Sequence, residues 1–152
     1  MIWTHYPKVN PKLLKPKTFF EIAKSPDFDL IVDKLIELYP RSKFIVFERD
    51  LEERIKSFIG GFGNAIFENF RHYPNMIKLI KNILGEEPDN NEKMVRGWLM
   101  LCEQTREQVL KSYDNSLIFR VNFQELMDNW DREMKKLCEF VDIDYDFYKP
   151  IW

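Results

Sequence analysis

Apolar residues along the chain follow two rhythms, and the switches between them predict the elements. Phe28, Ile31, Leu35 and Leu38 recur at helical spacing behind the start signal Ser25-Pro26-Asp27. Tyr39-Pro40 ends that helix. Lys43-Phe44-Ile45-Val46-Phe47-Glu48 is then a short, continuous apolar run. That is the pattern of a strand buried on both faces of a parallel sheet. Arg49-Asp50 follows at once. Asp50 can cap a helix beginning at Leu51, with Glu53 three residues on as its capping-box partner. Leu51, Ile55, Phe58 and Ile59 form that helix's apolar face, which Gly60-Gly61 and Gly63 interrupt. Helical pattern resumes from about Asn64 to Leu84, is broken near Pro74, and stops at Gly85 and Pro88. Asn91 to Tyr113 reads as a long helix striped by Val95, Trp98, Cys102, Thr105 and Val109. Leu117-Ile118-Phe119-Arg120-Val121 is a second buried strand. Asn122-Phe123-Gln124-Glu125 opens a short helix with the same cap-then-Glu spacing. A last helix, Trp130 to Val141, carries Trp130, Met134, Leu137 and Val141 as its stripe. Before all of this, Pro7, Pro11, Pro16 and Pro26 predict an irregular first quarter, with Ile2-Trp3-Thr4-His5-Tyr6 as a short strand. Strands separated by helices imply an α/β fold: a parallel sheet flanked by helices.

Composition narrows the class. At 152 residues the chain is expected to form a single domain over residues 1–152. Hydrophobic residues at 45% and charged residues at 32% exclude a disordered chain and a membrane-embedded one. No apolar run approaches the ~18–20 residues that cross a bilayer. The start, Met1-Ile2-Trp3-Thr4-His5, lacks the basic region and long apolar stretch of a signal peptide. Lys+Arg at 23 against Asp+Glu at 25 argues against a general nucleic-acid binder, but leaves room for a local basic pocket. Cys102 and Cys138 lie in helical stretches. They read as buried thiols in a reducing compartment, hence a cytoplasmic location. Two Cys and two His, scattered without ligand spacing, exclude a zinc cluster.

The junction at Arg49 carries the chemical signal. Ligands of open α/β sheets collect at the carboxyl ends of the strands. The free N–H groups of a helix start favour an anion, usually phosphate. Arg49 stands at that mouth with a fork suited to phosphate oxygens. Ser57 lies two turns into the following helix, on a face shared with Asp50, Arg54 and Gly61. Its hydroxyl could bond the same anion. The plainer reading of Arg49 is a surface arginine paired with Asp50 or Glu53. Arg54 and Lys56 read as a solvated face. Trp98 and Trp130 read as core, and His72-Tyr73-Pro74 as a helix break. Gly60-Gly61-Phe62-Gly63-Asn64 lacks the trailing Lys-Ser/Thr of a phosphate loop and reads as a helix stop.

The segment Phe44-Ile45-Val46-Phe47-Glu48-Arg49-Asp50-Leu51-Glu52-Glu53-Arg54-Ile55-Lys56-Ser57 resembles the 3′-phosphate-binding segment of the sulfotransferases. These enzymes use the donor PAPS (3′-phosphoadenosine 5′-phosphosulfate). The family pattern is a hydrophobic strand, Arg-Asp/Asn-Pro, then a helix with Ser eight residues after the Arg. Arg49 and Ser57 fall on that Arg and Ser, and Leu51 replaces the Pro. Thr4-His5-Tyr6-Pro7 resembles the family's Thr-His-Leu-Pro, whose His is the catalytic base, so the resemblance implies His5 as base. Phe119 to Leu126 is similar to the family's strand followed by Tyr-Glu-Asp-Leu. Phe123 then takes the Tyr position beside the nucleotide, keeping the flat apolar surface without the hydroxyl. Leu137-Cys138-Glu139-Phe140-Val141-Asp142-Ile143 resembles the family's Phe-Leu-Gly ending.

The resemblance covers roughly residues 1–145 and implies a P-loop NTPase-like sulfotransferase fold, here reduced and helix-rich. The sequence contains no Pro-Lys-x-Gly-Thr-type loop for the 5′-phosphosulfate and no Arg-Lys-Gly nucleotide segment. It therefore looks like the middle and later part of a sulfotransferase, with weak or absent turnover expected of this chain alone. The implied activity is sulfuryl transfer from PAPS to a hydroxyl or amine on a small-molecule or glycan acceptor, with PAP as product. The alternative is a non-catalytic nucleotide-binding or protein-interaction module on a degenerate scaffold. In that case an exposed sheet edge would invite a missing N-terminal segment, a partner or homo-oligomerisation. Coincidence of the Arg49–Ser57 spacing in an unrelated α/β domain is the third reading.

Overall fold

The computed structural model describes residues 28–62, 68, 70 and 72–147. The expected strand at residues 2–6, the proline-rich first quarter and His5 lie outside these residues. Among the described residues the elements run in the order α1 (Val32–Leu38), β1 (Phe44–Glu48), α2 (Leu51–Phe62), α3 (Pro74–Leu84), α4 (Asn91–Leu110), β2 (Ile118–Asn122), α5 (Phe123–Asp128) and α6 (Trp130–Phe140). The fold is α/β, as the alternating pattern requires. β1 and β2 pair in parallel, from Phe44 opposite Ile118 to Glu48 opposite Asn122.

The caps written into the sequence form. The Asp50 side chain accepts from the Glu53 N–H at 3.1 Å, and the Asn122 side chain accepts from the Glu125 N–H at 3.0 Å. Asn90 does the same for α4, accepting from the Lys93 N–H at 2.9 Å. Each satisfies one of the orphan donors at a helix start. Pro74 opens α3 at a position where its missing N–H costs nothing. Gly85 closes α3 with φ 75°, a left-handed conformation that favours glycine.

Two apolar clusters hold the described residues together. One joins Ile55 of α2, Ile80 of α3 and Met94, Val95, Trp98, Leu99 and Cys102 of α4. Leu51, Phe58 and Ile59 pack against it, as their spacing predicts. Gly97 lets α3 and α4 approach closely. A Cβ there would overlap Ile80 Cγ2 and stand 3.1 Å from Leu84. The second cluster joins Val32, Val46 and Leu110 beneath the sheet. Tyr113 locks its edge: the ring meets Phe44 edge-on at 5.4 Å, and the hydroxyl shares its one proton between the carbonyls of Pro40 and Ser42, at 2.9 and 3.0 Å. On the other face of the sheet Phe119 stacks on Phe140 of α6 at 5.3 Å. Both cysteines are buried.

Several sequence expectations need correction. A 3-10 turn at Phe28–Leu30 precedes α1 and rotates its phase. Val32 and Ile36 therefore face the core, while Ile31 is exposed and Leu38 is 69% exposed. β1 is not buried on both faces, because Phe47 remains 52% exposed. α2 runs through Gly60-Gly61 to Phe62. Packing of Phe58 and Ile59 offsets a glycine cost of ~1 kcal/mol per residue. Trp130 is 40% exposed at the first turn of α6, where Cys138 instead reaches the core.

Candidate functional site

The parallel register sets the site. Glu48 and Asn122 are the last paired residues, so Arg49 and Phe123 leave the sheet side by side. The guanidinium carbon of Arg49 sits 4.7 Å from the centroid of the Phe123 ring. A cation over an aromatic face at this distance is held by the ring quadrupole. Arg49 Nε also donates to Glu53 Oε2 at 3.1 Å, one turn into α2. The plainer pairing thus exists together with the aromatic stacking.

Ser57 lies exposed on α2, and Arg49 is bonded to Glu53 rather than to it. Of the four residues singled out from the sequence, Arg49 and Phe123 are brought together. Ser57 stands farther along the same helix.

Beside Arg49 opens a cleft of about 360 Å³, between the ends of the strands and α4. Phe47, Glu48 and Arg49 come from β1 and its exit, Arg54 from α2, and Arg120 from β2. Glu103, Arg106 and Glu107 come from α4. The guanidiniums are matched to carboxylates. Arg54 pairs with Glu103 at 2.8 Å. Arg120 binds Glu107 through both terminal nitrogens, at 2.6 and 3.0 Å, and reaches Glu48 at 3.0 Å. Arg106 is the most enclosed, with its side chain 11% exposed between Glu107 at 3.1 Å and Asp29 at 3.2 Å. Arg54 is therefore not the solvated residue its helix position suggested.

The two carboxylates on Arg106 titrate in opposite directions. Hydrogen bonds from Arg120 hold Glu107 below the ordinary carboxylate range. Burial pushes Asp29 up in spite of Arg106. Desolvation penalises one charge, while a bidentate partner favours the other.

Sequence reasoning missed this polar cluster. One signal was present: Arg120 is a lone charge inside an otherwise apolar strand. Glu103, Arg106 and Glu107 also recur three and four residues apart on α4, off its apolar stripe. Their convergence with β1 is long-range and has no local signature. Among the described residues, no three His, Cys, Asp or Glu side chains converge as a metal site requires. No described helix is long and apolar enough to cross a membrane.

No curated protein and no solved structure matches the chain. The model of the sulfotransferase family matches residues 3–147, a span that contains both strand-to-helix junctions and every residue of the cleft. With nearly the whole chain matched, and a helix-flanked parallel sheet that fits that family's fold, this protein belongs to the sulfotransferase family.

Proposed function

We propose that this chain acts in sulfuryl transfer from PAPS to a hydroxyl or amine acceptor, with Arg49 holding the 3′-phosphate of the donor. The observation that carries this reading is Arg49 stacked on Phe123 at the carboxyl end of two parallel strands, at the head of α2. A phosphate there meets a guanidinium fork and the first N–H groups of a helix. The ion pair with Glu53 does not block it. An exposed pair four residues apart on a helix is worth only ~0.3–0.5 kcal/mol. A hydrogen bond to a charged group contributes ~1.5–3 kcal/mol.

Phe123 offers a flat apolar face beside the bound phosphate. Ser57 supplies a second donor along α2, and His5 takes the acceptor's proton. When bound, PAPS supplies the activated sulfuryl group. Arg49, Ser57 and Phe123 bind and orient it.

Titration calorimetry with PAP, with 5′-AMP as control, tests the reading. PAP binding that is absent for 5′-AMP and weakened at least ~10-fold in Arg49→Ala, equivalent to ~1.4 kcal/mol, is expected. Equal binding of both nucleotides, or none of PAP by the wild type, would sink it.

A further inference from the structure

Arg49 leaves β1 with its guanidinium held on two sides. The Phe123 ring stacks on its face, 4.7 Å from the guanidinium carbon. Glu53 Oε2 accepts from Nε at 3.1 Å, on the edge nearest the side-chain stem. Among the described residues, its two terminal nitrogens have no hydrogen-bond partner. The arginines beside it in the cleft are placed differently: Arg54, Arg106 and Arg120 each spend a terminal nitrogen on a carboxylate. A guanidinium grips an anion through two parallel N–H groups. With Nε occupied by Glu53, the terminal pair is the fork that Arg49 still offers.

The start of α2 puts Glu53 in reach. Its backbone N–H is fixed by the Asp50 cap at 3.1 Å. In a capping box its carboxylate would return to the Asp50 N–H. Here the carboxylate turns to Arg49 instead. Two roles of opposite sign follow from that contact. As a counter-ion, Glu53 would compete with an incoming phosphate and repel it. As a support, it would fix a long side chain before the ligand arrives and so remove an ordering cost from binding. The geometry favours support, because the bond uses the one nitrogen that a terminal fork does not need. The Arg49 side chain is only 34% exposed, consistent with a group held from two sides.

We infer that Glu53 is a positioning residue that holds the Arg49 guanidinium against Phe123 and leaves its terminal fork to the 3′-phosphate. The inference rests on the function proposed above.

The experiment is titration calorimetry with PAP and 5′-AMP on the wild type, Glu53→Ala and Glu53→Gln. The NMR signal of the Arg49 Nε–H is followed in the same proteins without nucleotide. The two roles predict opposite signs in Glu53→Ala. Removing a competing counter-ion would tighten PAP binding. Removing a support should weaken it about 3- to 10-fold, the cost of ordering one long side chain on binding. Glu53→Gln removes the charge but keeps an oxygen that accepts from Nε. It should bind PAP at least as tightly as the wild type. The Nε–H signal should exchange slowly with water in the wild type and in Glu53→Gln, and rapidly in Glu53→Ala. Loss of the helix cap would not produce this pattern, since the cap uses the backbone N–H of residue 53, which both variants keep. Unchanged or tighter PAP binding in Glu53→Ala would overturn the inference and leave the role of Arg49 in place. Equal losses of affinity in Glu53→Ala and Glu53→Gln would overturn it too, as would an Nε–H signal that is the same in all three proteins. No PAP binding by the wild type would remove the transfer reading and this inference with it.

Discussion

The helical lobe and the mouth of the sheet use the same helix for opposite ends. On its inner face α4 presents Met94, Val95, Trp98 and Cys102 to α2 and α3, with water excluded. Toward the sheet it presents Glu103, Arg106 and Glu107 to a polar cleft. In the lobe, cohesion comes from apolar area and close packing, which tolerate no change of volume. At the mouth, ion pairs between partly exposed side chains contribute little net stability. What they provide is orientation. Stability and ligand chemistry are thus separated along one helix, and substitutions in the two regions should have separable effects.

The largest effect on stability is expected in the lobe. Ile80 is 0% exposed, and Ile80→Ala should cost ~2–5 kcal/mol in urea unfolding. A cost under ~1 kcal/mol would mean that the lobe is not the stability core. Next is Gly97→Ala, which drives a methyl into Ile80 and Leu84. It should lose ~1–3 kcal/mol by the same assay, partly recovered by trimming Ile80 to Val. Arg49→Ala sharpens the contrast. Its stability should stay within ~1 kcal/mol of wild type while PAP affinity falls, because it loses only a partly exposed ion pair with Glu53 and a cation–π contact with Phe123. A large loss of stability would show that the mouth is structural after all.

The smallest effect concerns pH. Arg120 depresses the Glu107 carboxyl below its ordinary 4.5 in the folded state. The folded state therefore binds fewer protons there than the unfolded one. That contribution is present above about pH 4.5 and is lost as pH falls through the depressed value. Glu107→Gln should flatten the acid limb of the stability curve and leave the neutral region nearly parallel to wild type. An unchanged acid limb would remove Glu107 from the linkage.

The legible part of the fold was its local chemistry. Asp50 and Asn122 cap helices, and Pro74 and Gly85 bound α3, because these roles depend on residues three or four positions apart. The apolar face of α2 was legible for the same reason. The phase of α1 was not, since the 3-10 turn at residues 28–30 advances the chain by a different angle per residue than an α-helix. Trp130 misled because a large aromatic at stripe spacing can also sit at a helix's exposed first turn.

At the site, Arg49 and Phe123 were each identified separately. Their contact depends on the register of two strands that no local pattern encodes. The cleft escaped notice because its charges come from four separate elements.

One feature of the fold bears on how the molecule assembles. β1 pairs with β2 across the whole of α2, α3 and α4, from Phe44 to Ile118. Lys43, just before β1, donates to the Phe140 carbonyl at 2.6 Å and to Asp142 at 2.8 Å, still farther along the chain. Such distant contacts must close long loops before they return any energy, whereas α3 and α4 meet through a short connection. The lobe is therefore expected to form first and the mouth last. Pulse-labelled hydrogen exchange should protect amides of α3 and α4 before those of β1, and strand amides protected first would refute that order. A ligand held in the mouth would then slow unfolding and leave the folding rate unchanged, because its binding surface does not yet exist at the transition state.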